Sequence, residues 1–310
     1  MLSYHSKKTN VFAAGTLQRV SESRVDEQYI QSKLHDPATR FIPVWKNKNL
    51  VTAVDPIQSV YLSYDQATPL LTDSAPLIFL GILEGVTYFA FALPDDSPVA
   101  TLFPAEQHFK DLRDIGVLLT QDEGSLYAYA RALVHWHRTH QYCGRCGSKT
   151  LSIEGGHVLQ CINPNCVLRH FPRTDAAIIL LITYREHCLL VRQSIWPEGM
   201  YATVAGFLEP GESLENAVAR EVMEETGLVL ENIQYHSSQP WPFPASIMIG
   251  FTAQSTSMDY KLDQVEIEKA VWVTREELAE KLQNGTIKLP PPLSIASRLI
   301  DEWYKGGEVS

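Results

Sequence analysis

The chain has 310 residues, 45% of them hydrophobic and 20% charged, a globular composition long enough for about two domains that excludes disordered and fibrous classes. Twenty-six basic against thirty-six acidic side chains give a formal charge of −10, which argues against tight non-specific binding to nucleic acid by the surface as a whole. No apolar run approaches the roughly 20 residues that cross a bilayer. The N-terminus lacks a secretory core and the C-terminal Gly-Glu-Val-Ser is neither an ER-retention nor a peroxisomal signal, so a cytoplasmic protein without a membrane partner is expected.

Residues 1–124 read as strand-like runs broken by turns, with no evident chemistry and no internal repeat, and are assigned a scaffold or dimerisation role. The clearest runs are Leu77 to Leu83 and Val86 to Leu93, joined through Glu84-Gly85 as a hairpin. Leu126, Tyr129, Ala130, Leu133 and His137 recur at helical spacing, which predicts a connecting helix within residues 125–138 with Ser125 placed to cap it.

Residues 139–172 hold too few large apolar side chains to bury a core of their own, so this segment needs a staple. Four of the five cysteines fall there, as Cys143-Gly-Arg-Cys146 and Cys161-Ile-Asn-Pro-Asn-Cys166, with fourteen residues between the two pairs. Two such hooks close a tetrahedron of thiolates around Zn²⁺ and leave no position open to substrate, which predicts one structural zinc per chain. Cys188 lies in an apolar run and reads as a small buried hydrophobe. Arg138, Arg145, Lys149, Arg169 and Arg173 make a basic island in an acidic chain, either plain solvated charge or a contact for phosphates.

From 173 to 304 the pattern turns α/β: strands at Ala176 to Ile182, Cys188 to Val191 and Tyr201 to Ala205, a long helix, and a strand from Ser246 to Ala253. Trp272-Val-Thr leads into a helical run, and Pro290-Pro291-Pro292 precedes a last helix from Ser294 to Tyr304. Such alternation predicts a sheet covered by helices.

The long helix carries the strongest signal. Gly206-Phe-Leu-Glu-Pro-Gly-Glu212 is followed, after seven residues, by Arg220-Glu221-Val222-Met223-Glu224-Glu225-Thr226-Gly227-Leu228. Ser213 is suited to cap the helix and Gly227 to end it in the left-handed conformation. At 100° per residue Glu221, Glu224 and Glu225 share an arc of about 100°. Leu214, Ala217, Val218, Glu221 and Glu225 follow i, i+3, i+4, i+7 and i+11, so the carboxylates continue the apolar stripe where the helix should pack. Acids aimed that way need cations, and oxygen donors without His or Cys favour Mg²⁺ or Mn²⁺. Arg220 is placed to pair with Glu212 and orient the loop.

The pattern G-x5-E-x7-R-E-U-x-E-E-x-G-U, with U a bulky aliphatic residue, is met at every position and resembles the Nudix box. That resemblance implies a mixed α/β fold, a Nudix α/β/α sandwich with an inserted zinc ribbon and a mostly β N-terminal domain. It also implies divalent metals that promote hydrolysis of a nucleoside diphosphate linked to another group. By the same likeness Glu221 and Glu225 are metal ligands, Glu224 a ligand or base, Arg220 and Glu212 part of the catalytic set, and the Ala205 carbonyl a further ligand.

A second segment, Ser238-Gln239-Pro240-Trp241-Pro242-Phe243-Pro244-Ala245-Ser246, alternates three prolines with two aromatics. Proline fixes φ, so Trp241 and Phe243 sit on a stiff segment that is either a stacking platform for a planar ring or an edge that packs both rings into the core. The segment is similar to the signature of the NADH pyrophosphatases, which often carry a four-Cys ribbon upstream. The likeness implies that Gln239, Pro240, Trp241, Pro242, Phe243, Pro244, Ala245 and Ser246 contact the dinucleotide and that Phe171 stacks on a base. It implies Glu266 as a distal metal ligand, with Glu268 close by in the sequence, and Ala296 reaching adenosine in the partner subunit of a homodimer. NAD(H) is then a substrate, cleaved to a nicotinamide mononucleotide and AMP, and NAD-capped RNA a second one. No G-x-G-x-x-G follows a strand, which agrees with substrate rather than hydride carrier.

Overall fold

The computed structural model describes residues 9–72 and 75–306. The chain divides into two compact units: residues 11–174 with 241–245, and residues 175–240 and 246–306 with Thr9 and Asn10. Among the described residues no helix is long and apolar enough to cross a membrane.

The first unit opens with a helix, α1 (Glu27–Leu34), and continues through β1 (Arg40–Trp45), β2 (Lys48–Thr52), the one-turn helix α2 (Tyr64–Ala67), β3 (Ile78–Leu83), β4 (Val86–Ala92), α3 (Val99–Leu102), β5 (Gln107–Lys110), α4 (Leu112–Ile115) and α5 (Gln121–Thr139). The five strands form one sheet in the order β3-β4-β1-β2-β5, with β1 and β4 parallel and the other neighbours antiparallel. The expected hairpin is β3–β4, whose turn residues Glu84 and Gly85 both have positive φ, the geometry that matches strand twist in a two-residue turn. One sheet face packs Phe41, Leu50, Phe79, Phe89 and Phe91 into an aromatic core, and α5 packs on β1, β3 and β4.

Helix α5 begins four residues before the expected start. Thr120, not Ser125, is its N-cap, and a reciprocal capping box with Glu123 fixes the first turn, so Ser125 lies inside the helix. After α5 come β6 (Thr150–Ile153), β7 (Val158–Cys161) and β8 (Arg169–His170), a small three-stranded antiparallel sheet.

In the second unit β9 (Asp175–Tyr184), β10 (His187–Arg192), β11 (Val204–Phe207), α6 (Leu214–Thr226), β12 (Leu230–Trp241), β13 (Ser246–Ser255), β14 (Lys269–Val273), α7 (Arg275–Gln283) and α8 (Ile295–Tyr304) follow in turn. The sheet order is β12-β13-β9-β10-β14, with β9 and β13 parallel and β11 paired antiparallel to β9. Side chains of β9 alternate between two cores: Ile178, Leu180 and Ile182 face Ala217, Val218 and Val222 of α6, whereas Ile179 and Leu181 face Leu278, Leu299 and Trp303 of α7 and α8. Both faces are covered, which makes the expected α/β/α sandwich. Cys188 is fully buried in the second core, and burial pushes its thiol up to about 12. The third strand lies a few residues beyond the expected Tyr201–Ala205. Pro240 is accommodated because β12 is an edge strand.

Candidate active site

Helix α6 is bracketed as its sequence implies. The Ser213 hydroxyl accepts from the Asn216 amide at 3.2 Å, and Gly227, at φ 67°, donates its N–H to the Met223 carbonyl. Ala217, Val218 and Val222 are buried, and the same face ends in Glu225, whose exposure is only 3%.

The carboxylates around the helix are not equivalent. Arg220 donates from Nε and Nη2 to the two oxygens of Glu212 (2.6 and 3.0 Å), from Nη2 to the Phe207 carbonyl (3.0 Å), and from Nη1 to Glu221 (2.9 Å) and Glu224 (3.0 Å). The expected Arg220–Glu212 pair is present, and Glu212 also accepts from the Glu209 amide at 3.0 Å, which closes the loop before the helix. The guanidinium holds the Glu212 carboxyl below its usual range. Among the described residues neither oxygen of Glu225 has a hydrogen-bond partner. Burial, followed by the charges of Glu221, Glu266, Asp263 and Glu224, pushes this carboxyl up to about 8. Glu221 is raised chiefly by burial, against the opposing pull of Arg220.

Gly206 precedes the last residue of β11 and stands beside Ala205, which is in register with Ile179. A Cβ at Gly206 would lie 2.0 Å from Cδ of Glu221, so only glycine admits the carboxylate to this position. Glu266 follows a turn built by Asp263, whose carboxylate accepts from the amides of Val265, Glu266 and Ile267 at 3.1–3.2 Å. The Asp263 amide in turn donates to the Glu225 carbonyl. Glu268 is engaged elsewhere, with Arg192 at 3.0 Å. Arg192 also donates to the carbonyls of Trp196 and Pro197, fastening the loop after β10. Asp263 and Arg192 escaped the sequence reading; the signal for Asp263 was an Asp two to four residues before three amides that need an acceptor.

The ion fits these residues. Three carboxylates (Glu212, Glu221 and Glu224) share one guanidinium, whereas Glu225, the most buried, has no donor and feels the charges of Glu221, Glu266 and Glu224, a set that a hard divalent cation would neutralise.

The cysteines lie in the first unit. Their four sulfurs all fall within 4.8 Å of one another, with Cys143 and Cys166 at 3.8 Å and Cys146 and Cys161 at 3.4 Å. Zn–S bonds of about 2.3 Å put tetrahedral sulfurs about 3.8 Å apart, so the quartet fits zinc. Each hook is a tight turn: Gly147, at positive φ, donates to the Cys143 carbonyl, and the Cys166 amide donates to that of Asn163. Among the described residues no carboxylate set converges as closely as these sulfurs. Of the basic island, Arg138 pairs with Asp95 at 2.7 Å and Arg169 with Glu154.

The Pro/aromatic segment divides between the units, Trp241–Ala245 with the first and Gln239, Pro240 and Ser246 with the second. Gln239 is fully buried. Its amide donates to the Leu293 carbonyl and accepts from the Ile295 amide, both at 2.8 Å, clamping the start of α8. The methyl of Ala296 is likewise packed in the core under α8, which leaves only its backbone for an adenosine. Phe171 is 63% exposed, with the Arg169 guanidinium 5.7 Å from its ring centre.

Comparison with known proteins follows these boundaries. Residues 172–291 match the NUDIX domain, 138–171 the NADH pyrophosphatase zinc ribbon domain, and 38–136 the NADH pyrophosphatase-like rudimentary NUDIX domain. A human protein named NAD-capped RNA hydrolase NUDT12 is 32% identical over 96% of this chain and 73% of its own length. The chain belongs to the Nudix superfamily, in the NADH pyrophosphatase family. The Mycobacterium bovis NAD-capped RNA hydrolase NudC is 35% identical over 75% of this chain and 77% of its own. Nudix hydrolase 19, chloroplastic, of Arabidopsis thaliana is 41% identical over 66% of this chain, which spans half the length of that plant protein. The Nudix match contains the carboxylate helix and Glu266, and the ribbon match contains the four cysteines.

Proposed function

We propose that this Nudix enzyme hydrolyses the pyrophosphate of NAD(H) to a nicotinamide mononucleotide and AMP and removes NAD caps from RNA 5′ ends. It works as a homodimer in the cytoplasm with Mg²⁺ or Mn²⁺ held by Glu221, Glu225, Glu266 and the Ala205 carbonyl. The observation that carries this reading is Glu225, a carboxyl 3% exposed and without a donor at either oxygen among the described residues. The human and mycobacterial relatives, both named NAD-capped RNA hydrolases, support the choice of substrate.

A divalent cation here would neutralise phosphate oxygens and make a water more acidic. The chain's residues do the rest. Arg220 draws Glu221 and Glu224 to one side of the helix and ties them to the Glu212 loop, which fixes their position before substrate arrives. Glu224 is 61% exposed and gives only Oε2 to Arg220, so its other oxygen is suited to accept the proton of the attacking water. Water adds to phosphorus, the bridging P–O bond breaks, and two monophosphates leave. No side-chain nucleophile is required.

The test is a substrate panel: purified protein with Mg²⁺ or Mn²⁺ and equal concentrations of NADH, NAD⁺, ADP-ribose and a short NAD-capped RNA, with products resolved by chromatography. The expected products are AMP and reduced nicotinamide mononucleotide from NADH and a 5′-monophosphate RNA from the capped one, all lost on chelation. Faster turnover of ADP-ribose than of either NAD-containing substrate would overturn the assigned specificity. A folded, metal-replete protein that cleaves nothing would overturn the activity.

A further inference from the structure

The segment Trp241–Ala245 poses a physical difficulty. Pro242 and Pro244 have no N–H, so the loop offers few hydrogen bonds with which to fix itself. Within it the Phe243 amide donates to the Trp241 carbonyl at 2.7 Å. A stiff loop is a useful ring platform only if something outside it sets where the rings stand.

Arg131 does this. It projects from the middle of α5 with its side chain only 7% exposed. Its Nε–H donates to the Pro242 carbonyl at 2.8 Å, and an Nη1–H donates to the Asn47 carbonyl at the tip of the β1–β2 hairpin. That tip is a turn in which Lys46 and Asn47 both have positive φ, so the carbonyl is rigidly presented. The guanidinium carbon lies 4.6 Å from the centre of the Phe243 ring, and that of Arg113 lies 4.2 Å from it. Both arginines approach Asp111, at 3.8 and 3.9 Å, which offsets their mutual repulsion. Phe12 adds a tilted contact to the same ring at 6.4 Å.

The two aromatics of the segment therefore differ in role. Phe243 is occupied by two guanidinium groups and another phenyl ring, and Trp241 rests edge-on against it at 4.9 Å. A planar fork with several donors can grip a carbonyl, a second carbonyl and a ring face together, which an ammonium cannot.

We infer that Arg131 is a positioning residue for substrate recognition: by gripping Pro242 and Phe243 it sets where Trp241 stands, the ring that the substrate reading gives to a base of the dinucleotide. The inference rests on the substrate reading above and deepens it. Arg131 touches no reacting atom, so its loss acts on binding that is equal in ground and transition states, which appears in KM and leaves kcat alone.

The experiment measures steady-state NADH hydrolysis by the wild type, Arg131→Met and Arg131→Lys, with thermal melting and the Mg²⁺ concentration for half-maximal activity recorded for each. Arg131→Met is expected to raise KM on the order of tenfold with kcat changed less than about threefold and the Mg²⁺ requirement unchanged. Arg131→Lys, which keeps a cation near Phe243 but loses the fork, is expected to fall between. An unchanged KM in both folded variants overturns the inference, as does a fall in kcat at constant KM. If Arg131→Met does not fold, Arg131→Lys decides alone, a raised KM supporting the inference and a wild-type KM sinking it. An inert wild type sinks the substrate reading and this inference together, whereas an active wild type with unmoved variants sinks the inference alone.

Discussion

The two sheets of this protein are the same sheet used differently. With β11 set aside, each runs third-fourth-first-second-fifth by chain order, with the first and fourth strands parallel. Each is covered by a helix that follows the fifth strand and packs on the parallel pair, α5 in one unit and α8 in the other. They part company between the second and third strands. There the described residues of the N-terminal unit form the four-residue α2 and a 3-10 turn at Thr68–Leu70, and the C-terminal unit has β11 and the thirteen-residue α6. The match of residues 38–136 to a rudimentary NUDIX domain describes the same loss. Both units keep the sheet and its closing helix, and four of the five proposed catalytic or metal-holding glutamates, Glu212, Glu221, Glu224 and Glu225, lie in this one connection. What that connection adds is charge at a position where the rest of the fold places apolar side chains.

Removing that charge is the largest perturbation available. Glu225→Gln preserves shape and burial and supplies the amide with both donor and acceptor capacity. Hydrolysis of NADH is expected to fall on the order of 10³-fold or more, as a site that loses a cation holder and the charge complementing it should. Circular dichroism should be unchanged, and the metal-free variant should melt no lower than metal-free wild type. Activity within a factor of about ten of wild type would show that Glu225 is a buried core acid and that the two sheets differ less than claimed.

How far the sequence revealed this comparison depends on where side-chain periodicity carries information. In α6 the glutamates that continue an apolar stripe betrayed the site, and Ser213 and Gly227 fixed its ends. The cysteine hooks were legible because metal geometry restricts spacing. The repeat was invisible, since the shared feature is strand order, which no residue pattern encodes when one copy has lost its connection. The bonds from Gln239 to α8 were not legible, because a polar residue beside aromatics does not announce that two backbone groups of α8 await it. Arg131 was missed for a less excusable reason. Tyr127, Ala130, Arg131 and Val134 follow i, i+3, i+4 and i+7, and all four are buried. A charge on an apolar stripe is the signal that located Glu225, and it marked α5 as well.

The units should also respond to pH in opposite directions. In the first, burial holds His137 and His157 at about 4, with their Nε2 atoms against the carbonyls of Gly156 and Phe79. Folding favours the neutral rings, so their contribution is complete above the unfolded value near 6.5 and is lost as pH falls through 4. It amounts to about 3 kcal/mol per ring. In the second, Glu225 is raised to about 8 in the metal-free protein. Folding there favours the protonated acid, so that contribution is complete below the unfolded value near 4.5 and is lost as pH rises through 8. Thermal melts of chelated protein should show the stability contributed by the two rings lost as pH falls from about 6.5 to 4, and that contributed by Glu225 lost as pH rises from about 4.5 to 8, the alkaline fall. Glu225→Gln should abolish the alkaline fall alone, and an alkaline limb that persists in the variant would refute its assignment to this carboxyl.

The smallest contrast lies in the helix caps. Thr120 and Glu123 cap α5 reciprocally, and Glu123 also accepts from the Ser59 amide at 3.1 Å. Ser213 caps α6 singly, but the adjoining loop is held independently by the bonds from Arg220 to Glu212 and the Phe207 carbonyl. Thr120→Ala and Ser213→Ala should each cost about 1 kcal/mol in denaturant unfolding. Since Arg220, not the cap, places the carboxylates, Ser213→Ala should leave kcat within about twofold of wild type. A larger loss of kcat at that small cost in stability would mean that the first turn of α6, and with it the seven residues between Glu212 and Arg220, takes part in setting the metal site. The cap would then belong to the machinery that the N-terminal sheet lacks.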